Sequence, residues 1–147
     1  MHTLTLTQLV PILQLSIGPV ILISGVGLLL LTLTNRFGRM LDRTRQLDQE
    51  LHAGPSPEKA AEIRRQIAIL MRRAGILRLS VTLGAVTILL AGVLMLLLFL
   101  GALFGLELGV VIVAAFCAAL LALIGSMLEF IHDMNLALEA VRLEIHG

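Results

Sequence analysis

The chain has 147 residues, of which 58% are hydrophobic and only 14% are charged, with a net charge of +1. This length fits one domain. Soluble domains usually carry about 25% charged residues, so the composition excludes an ordinary soluble protein and predicts a membrane protein. Cys117 is the single cysteine, which excludes an intramolecular disulfide.

Three runs without a charged residue cover most of the chain: Leu9–Thr34, Leu79–Leu106 and Leu108–Leu128. A membrane-spanning helix needs about 20 apolar residues. Within lipid the backbone must satisfy its own hydrogen bonds, which favours helices. We therefore predict an all-α membrane protein, a single membrane domain over residues 1–147, with three transmembrane helices. These cover about residues 9–34, 79–104 and 108–130.

The first run begins without the basic segment that precedes a cleaved signal peptide, so we expect it to be a retained anchor. It contains Pro11 and Pro19. Pro11 is expected near the helix start, where a missing N–H costs little. Pro19, next to Gly18, predicts either a kink or a helix that begins only at that point.

Residues 35–78 carry ten basic and five acidic residues, and their apolar side chains follow two heptad patterns. This pattern predicts an antiparallel coiled-coil hairpin between spans one and two. Its turn is predicted by Gly54, which suits the residue after a helix, and by Ser56 before Pro57, which suit a helix start. The heptad positions are Leu33, Phe37, Met40, Thr44, Leu47 and Leu51, then Ala60, Ile63, Ile67, Leu70, Ala74 and Leu77.

Residues 101–109 are expected to join spans two and three. Gly101, Gly105 and Gly109 are spaced by four, and Glu107 is the only charged residue there. Either this stretch is a tight turn with Glu107 exposed at its tip, or the glycines form a helix-packing face. Residues 132–146 predict a short amphipathic helix that extends span three.

Charge distribution predicts the orientation, because loops rich in Lys and Arg stay in the cytoplasm. Ten of the eleven basic residues lie between Arg36 and Arg78. We therefore expect a cytoplasmic hairpin, an outside N-terminus and a cytoplasmic C-terminus. The basic hairpin is expected to attract anionic lipid head groups.

The ends of the three spans carry charged residues that are expected near one membrane face: Arg36, Arg39, Arg72, Arg73, Arg78, Glu129 and Asp133. A carboxylate at the lipid boundary is costly unless it is paired. We predict that Glu129 pairs with Arg36 or Arg78, or that these groups share an ion-pair network. Such a network could fix helix register, or it could form a charged ring at the inner mouth of a pore.

Small and polar residues also recur on one side of span one. They could form hydrogen bonds and close contacts with another helix, or they could line a water-filled path in an oligomer. The residues are Gln14, Gly18, Gly25 and Thr32.

No pattern in the sequence predicts catalysis, a metal site or a bound cofactor. The four histidines are scattered, and neither a phosphate-binding loop nor a nucleophile motif is present. The hairpin has one aromatic residue and no nucleic-acid-binding motif, so we expect neither an enzyme nor a nucleic-acid partner.

The stretch from Ile23 to Gly27, with Thr34–Arg39 and Asp42–Arg45, resembles a family of small uncharacterised bacterial membrane proteins known only as a domain of unknown function. The resemblance implies a bacterial inner-membrane setting and carries no known activity. The order of spans and hairpin is also similar to the core of the Oxa1-type insertase superfamily.

Small-residue stripes on the spans predict a homo-oligomer. The leading hypothesis is a channel or pore-like assembly, with the span-one stripe as its lining and Arg36 and Arg39 at its inner mouth. The alternatives are a membrane-protein insertase with a hydrophilic groove, or a membrane adaptor whose hairpin recruits a partner.

Overall fold

A computed structural model describes residues 3–146, apart from the side chain of Glu144. Its helices are α1, Leu6–His52, α2, Pro57–Phe104, and α3, Gly109–His146. Each helix is long and apolar enough to cross a membrane, and the described residues contain no strand. The predicted all-α fold with three candidate spans is confirmed; the first two residues and the last residue of the predicted single domain lie outside the described part.

Helix α1 begins earlier than the prolines suggested. Thr5 caps it: the Gln8 side chain accepts from the Thr5 N–H at 3.4 Å, and the Gln8 N–H donates to the Thr5 carbonyl at 2.9 Å. The Gln8 side chain thereby satisfies a backbone donor at the helix start, as the glutamine of a capping box does. The helix then continues through Pro11 and Pro19, as the predicted span over residues 9–34 requires, so the alternative in which it begins only at Pro19 is wrong. A kink at Pro19 stays a prediction. Helices in membranes accept proline because neighbouring helices and hydroxyl groups compensate for the lost hydrogen bond.

The turn between α1 and α2 has the predicted chemistry. Gly54 has a φ of 78°, a left-handed conformation that glycine adopts without steric cost. Ser56 caps α2, because its hydroxyl accepts from the Lys59 N–H at 3.4 Å and its carbonyl from the Ala60 N–H at 2.9 Å. Pro57 is the first residue of the helix.

The turn between α2 and α3 is a Schellman motif. Gly105 has a φ of 65°, and the Leu106 N–H donates back to the Gly101 carbonyl at 2.9 Å. Glu107 is exposed between the two helices. The predicted tight turn with an exposed Glu107 is therefore confirmed.

Contacts divide the chain into two compact units. The first, called here the apolar unit, comprises the residues up to Leu30 together with Thr82–Gly125. Its interior is built mostly from small side chains, and Gly125 lies so close to α2 that an added Cβ would be 3.2 Å from Cδ1 of Leu83. The most buried side chains in this unit are Ser16, Val26, Thr87, Ala91, Leu94 and Ala119.

The second unit, called here the charged unit, comprises Leu31–Val81 and the residues from Ser126 on. All the predicted heptad positions of the hairpin are buried or half-buried in it, so the predicted inward face is correct. A supercoil stays a prediction. The most buried side chains are Leu33, Met40, Leu47, Ile63, Ala74 and Leu77, together with the polar Ser80, Ser126 and Asp133.

The C-terminal residues extend α3 as predicted, without a break at residue 131. Leu136 and Ala140 are half-buried, whereas Leu138, Leu143 and Ile145 are exposed. Only part of the predicted apolar side is therefore covered by the chain itself.

Candidate functional site

Asp133 is the centre of the ionic contacts in the charged unit. Its side chain is 0% exposed, and it accepts hydrogen bonds from two helices. Nη2 of Arg36 on α1 donates to Oδ2 at 2.9 Å, and Nε of Arg73 on α2 donates to Oδ1 at 3.2 Å. One carboxylate thus joins all three helices of this unit.

Arg36 is held by a second contact besides the ion pair. Its guanidinium carbon lies 5.6 Å from the centre of the Phe130 ring, within the range of a cation–π interaction. Its Nε is buried, and among the described residues it has no hydrogen-bond partner. This N–H group of Arg36 is therefore unused, and an unpaired buried donor lowers stability.

The heptad spacing of α3 explains why Asp133 points inward. Ala119, Ser126 and Asp133 are separated by seven residues, which is close to two helical turns, and all three are buried. Glu129, four residues before Asp133, is only half-buried. Because a fully buried aspartate needs partners, the two arginines are what make this register of α3 stable.

One of the predicted alternatives paired Glu129 with Arg36, but the ion pair observed for Arg36 is with Asp133. Glu129 instead lies 4.0 Å from Nδ1 of His132 on the same helix. The predicted pairing of Glu129 with Arg78 stays a prediction. Arg39 and Arg78 are exposed in the charged unit. Arg73 and Asp133 were predicted near this face, but not as partners of each other.

Sequence analysis did not find the contact between Ser80 on α2 and Ser126 on α3. Each hydroxyl donates to the other residue's backbone carbonyl at 2.7 Å, and the two hydroxyl oxygens are 3.3 Å apart. Both residues are 0% exposed. Small hydroxyl residues allow two helices to approach closely and to bond across their contact. Both serines lie at heptad-like positions, and this spacing is the sequence signal that could have identified them.

The span-one stripe lies apart from these contacts. Gln14, Gly18, Gly25 and Thr32 are all exposed in the single chain. An added Cβ at Gly18 or Gly25 would meet no atom within 4 Å. Thr87 is one of the few polar residues of the spans that could contribute to the hydrophilic groove of an insertase, but it is fully buried, and its hydroxyl donates to the Leu83 carbonyl at 3.0 Å.

Two cavities open in the charged unit. The first, called here the arginine pocket, has a volume of about 330 Å³. The second, called here the hairpin groove, has a volume of about 670 Å³ and includes Leu47, Ile69, Ala140 and Leu143. The lining residues of the arginine pocket are Arg36, Arg39, Met40, Arg43, Leu70 and Arg73.

The chemistry available in these cavities is binding of anions and of apolar groups. Arginine forms strong, geometrically fixed hydrogen bonds with phosphates and carboxylates. Within the described residues, no three His, Cys, Asp or Glu side chains are grouped as a metal site would require.

Comparison with known proteins places this chain in one family. Residues 16–143 match the family described as "Protein of unknown function (DUF2721)", which covers both units. No curated protein matches the chain. No solved structure matches it either. Because the match extends over far more than half of the chain, the protein belongs to the DUF2721 family of proteins of unknown function.

Proposed function

We propose that the chain is a subunit of a homo-oligomeric channel or pore-like assembly in the bacterial inner membrane, with the charged unit in the cytoplasm. The observation that carries this proposal is the exposed stripe on α1. At about 100° per residue, Gln14, Gly18 and Gly25 lie within about 40° of one another, roughly 170° around the helix from the buried Ser16 and about 100° from the buried Val26. The chain's own packing therefore leaves this stripe for another molecule.

A second copy of the chain is the occupant that suits this stripe. A glutamine amide facing lipid is unfavourable, and glycines facing lipid leave helix backbone uncovered. Contact with the same stripe of another subunit brings helices close and supplies hydrogen-bond partners. An oligomer is also required for a water path, because three mostly apolar helices do not enclose one by themselves.

Arg39 is the better candidate for the inner mouth of such a pore. It follows Thr32 by seven residues, so it continues the stripe on the same side of α1, and it is exposed. Arg36 is already engaged by Asp133 at 2.9 Å, which offsets its charge. We therefore assign the charge at the mouth to Arg39, with Arg36 as a supporting residue.

The first test is the mass of the protein in nanodiscs. We expect one closed oligomer for the native chain and a smaller species for Gly25→Leu, since the added side chain fills the stripe. Gly92→Leu is the matched control, because Gly92 is also exposed, lies within a span and has nothing within 4 Å of an added Cβ. A native monomer, or an equal effect of both substitutions, would contradict the proposal.

The second test is ion flux into liposomes. Arg39→Ala should raise the permeability of cations relative to anions, because a positive group at a narrow mouth disfavours cations. Arg72→Ala removes an exposed charge from α2 and is the control. Absence of flux from the native oligomer would exclude a channel while leaving the oligomer itself intact.

The hairpin groove supports a second candidate, a membrane adaptor. It combines Glu62, Arg65 and Gln66 with the apolar Ile69 and Leu143, and the last two are 44% and 71% exposed. An amphipathic segment of a partner would suit such a surface. Ile69→Asp should then abolish partner capture without dissociating the oligomer, whereas Leu138→Asp, on an exposed residue outside the groove, should not.

A further inference from the structure

The arginine pocket has a charge that the chain itself does not balance. Four guanidinium groups line it, and the carboxylate of Asp133 is the only one that forms an ion pair with any of them among the described side chains. Arg43 donates to the neutral Gln46 at 3.4 Å. Four positive charges against one negative charge leave a site that favours an anion.

Unused hydrogen-bond donors in the pocket point to a ligand as well. Asp133 accepts from only one nitrogen of Arg36 and one of Arg73. Nε of Arg36 is buried and has no acceptor among the described residues. The side chains of Arg36 and Arg73 are 25% and 17% exposed, so their remaining N–H groups can donate to an oxygen ligand in this pocket.

The position of these arginines along their helices matches the phosphate layer of a membrane. Arg36 and Arg39 follow Thr34, the end of the first uncharged run, and Arg73 precedes Leu79, the start of the second. At ~1.5 Å per residue these offsets are about 3 to 9 Å, and that of Arg43, nine residues beyond Thr34, is about 14 Å. Head groups extend roughly 5 to 8 Å beyond the hydrocarbon on each side.

The preference for arginine over lysine also indicates a ligand that is bound in a defined geometry. Nine of the ten basic residues between positions 36 and 78 are arginine and one is lysine. Attraction to a charged surface needs only positive charge. Arginine adds paired, planar donors that match phosphate oxygens.

We propose that the arginine pocket is a binding site for a phosphate group, held by Arg39 and Arg43 together with the free donors of Arg36 and Arg73. The phosphate is that of an anionic phospholipid or of free phosphate, since both present the same oxygens. The volume of about 330 Å³ is sufficient for one such group and its immediate attachment.

The test is binding to the purified full chain in a neutral detergent, followed by the shift in melting temperature. The probes are a short-chain phosphatidylglycerol, a short-chain phosphatidylcholine and inorganic phosphate. The pocket variant is Arg39→Gln with Arg43→Gln, because both side chains are exposed and neither pairs with Asp133. The control is Arg64→Gln with Arg72→Gln, which removes equal charge outside the pocket.

We expect the pocket variant to weaken binding of phosphatidylglycerol about tenfold or more and the control variant to weaken it less than about threefold. Equal melting temperatures of the variants without probe would show that they are folded. Saturation by phosphatidylglycerol but not by phosphate identifies a lipid site. Saturation by phosphate with the same dependence on the pocket variant identifies a free-phosphate site. Binding weakened equally by both variants, or no saturable binding of any probe, overturns the proposal.

Discussion

The apolar unit and the charged unit solve the problem of helix packing in different ways. In the apolar unit the buried side chains are small or aliphatic, such as Ala91, Leu94 and Ala119, and Gly125 lies against Leu83. In the charged unit a fully buried carboxylate accepts bonds from two arginines, next to larger buried residues such as Leu33 and Leu47.

This contrast is the one expected if lipid surrounds the apolar unit and water surrounds the charged unit. Lipid is as apolar as leucine, so helices within it associate through close packing and not through a hydrophobic driving force. In water the burial of leucine stabilises a helix contact, but it does not select one register. A buried ion pair makes wrong registers costly, because a shifted Asp133 would lose both arginines.

The largest expected effect on stability comes from Asp133→Asn, which would remove the buried ion pairs that distinguish the charged unit from the apolar unit. The substitution keeps the shape but leaves two guanidiniums without their carboxylate. We expect the free energy of unfolding to fall by about 3 to 5 kcal/mol. The measurement is denaturant unfolding in mixed micelles, with hydrogen exchange to locate the loss in the charged unit.

Asp42→Asn is the matched control for that experiment. Asp42 lies 3.9 Å from Arg45, and both side chains are more than 70% exposed. Exposed pairs contribute little to stability, so the unfolding curve should hardly move. Similar losses for Asp42→Asn and Asp133→Asn would mean that burial of Asp133 does not define the charged unit.

How much of this arrangement could be predicted from sequence is shown by two pairs of residues. Gly54 and Ser56 were placed correctly, because turn and cap preferences depend on local geometry that the sequence states directly. Arg36 and Asp133 are 97 residues apart, and nothing local pairs them. Choosing between Glu129 and Asp133 required the rotation of α3 about its own axis, which only tertiary packing determines.

Pro19 illustrates a different limit, because the local rule left open whether α1 would be kinked there or would begin only there. Proline removes a hydrogen bond and usually ends or kinks a helix in water. In α1 it is buried within a continuous helix. Where lipid surrounds a helix, breaking more backbone bonds costs more than tolerating one gap, so the helix continues.

A smaller effect is expected from the serine contact between α2 and α3. Ser80→Ala or Ser126→Ala removes one hydrogen bond between helices and should lower the free energy of unfolding by about 1 kcal/mol. Ser24→Ala is the control, because its hydroxyl donates at 3.1 Å to Val20 within its own helix. If Ser24→Ala is as costly as the other two, the contact between α2 and α3 has no special role.

The smallest effect on the free energy of unfolding is expected from Gly125→Ala in the apolar unit. The informative quantity is the difference in stability between this variant and Gly92→Ala. Alanine favours helix over glycine at any interior position, so Gly125→Ala and Gly92→Ala share that gain. An added Cβ at Gly125 would lie 3.2 Å from Cδ1 of Leu83, whereas at Gly92 it meets nothing within 4 Å. We therefore expect Gly125→Ala to be less stable than Gly92→Ala by about 1 kcal/mol in the same micelle titration. Equal stabilities would mean that Leu83 moves aside freely, and close packing would then not be what holds the apolar unit together.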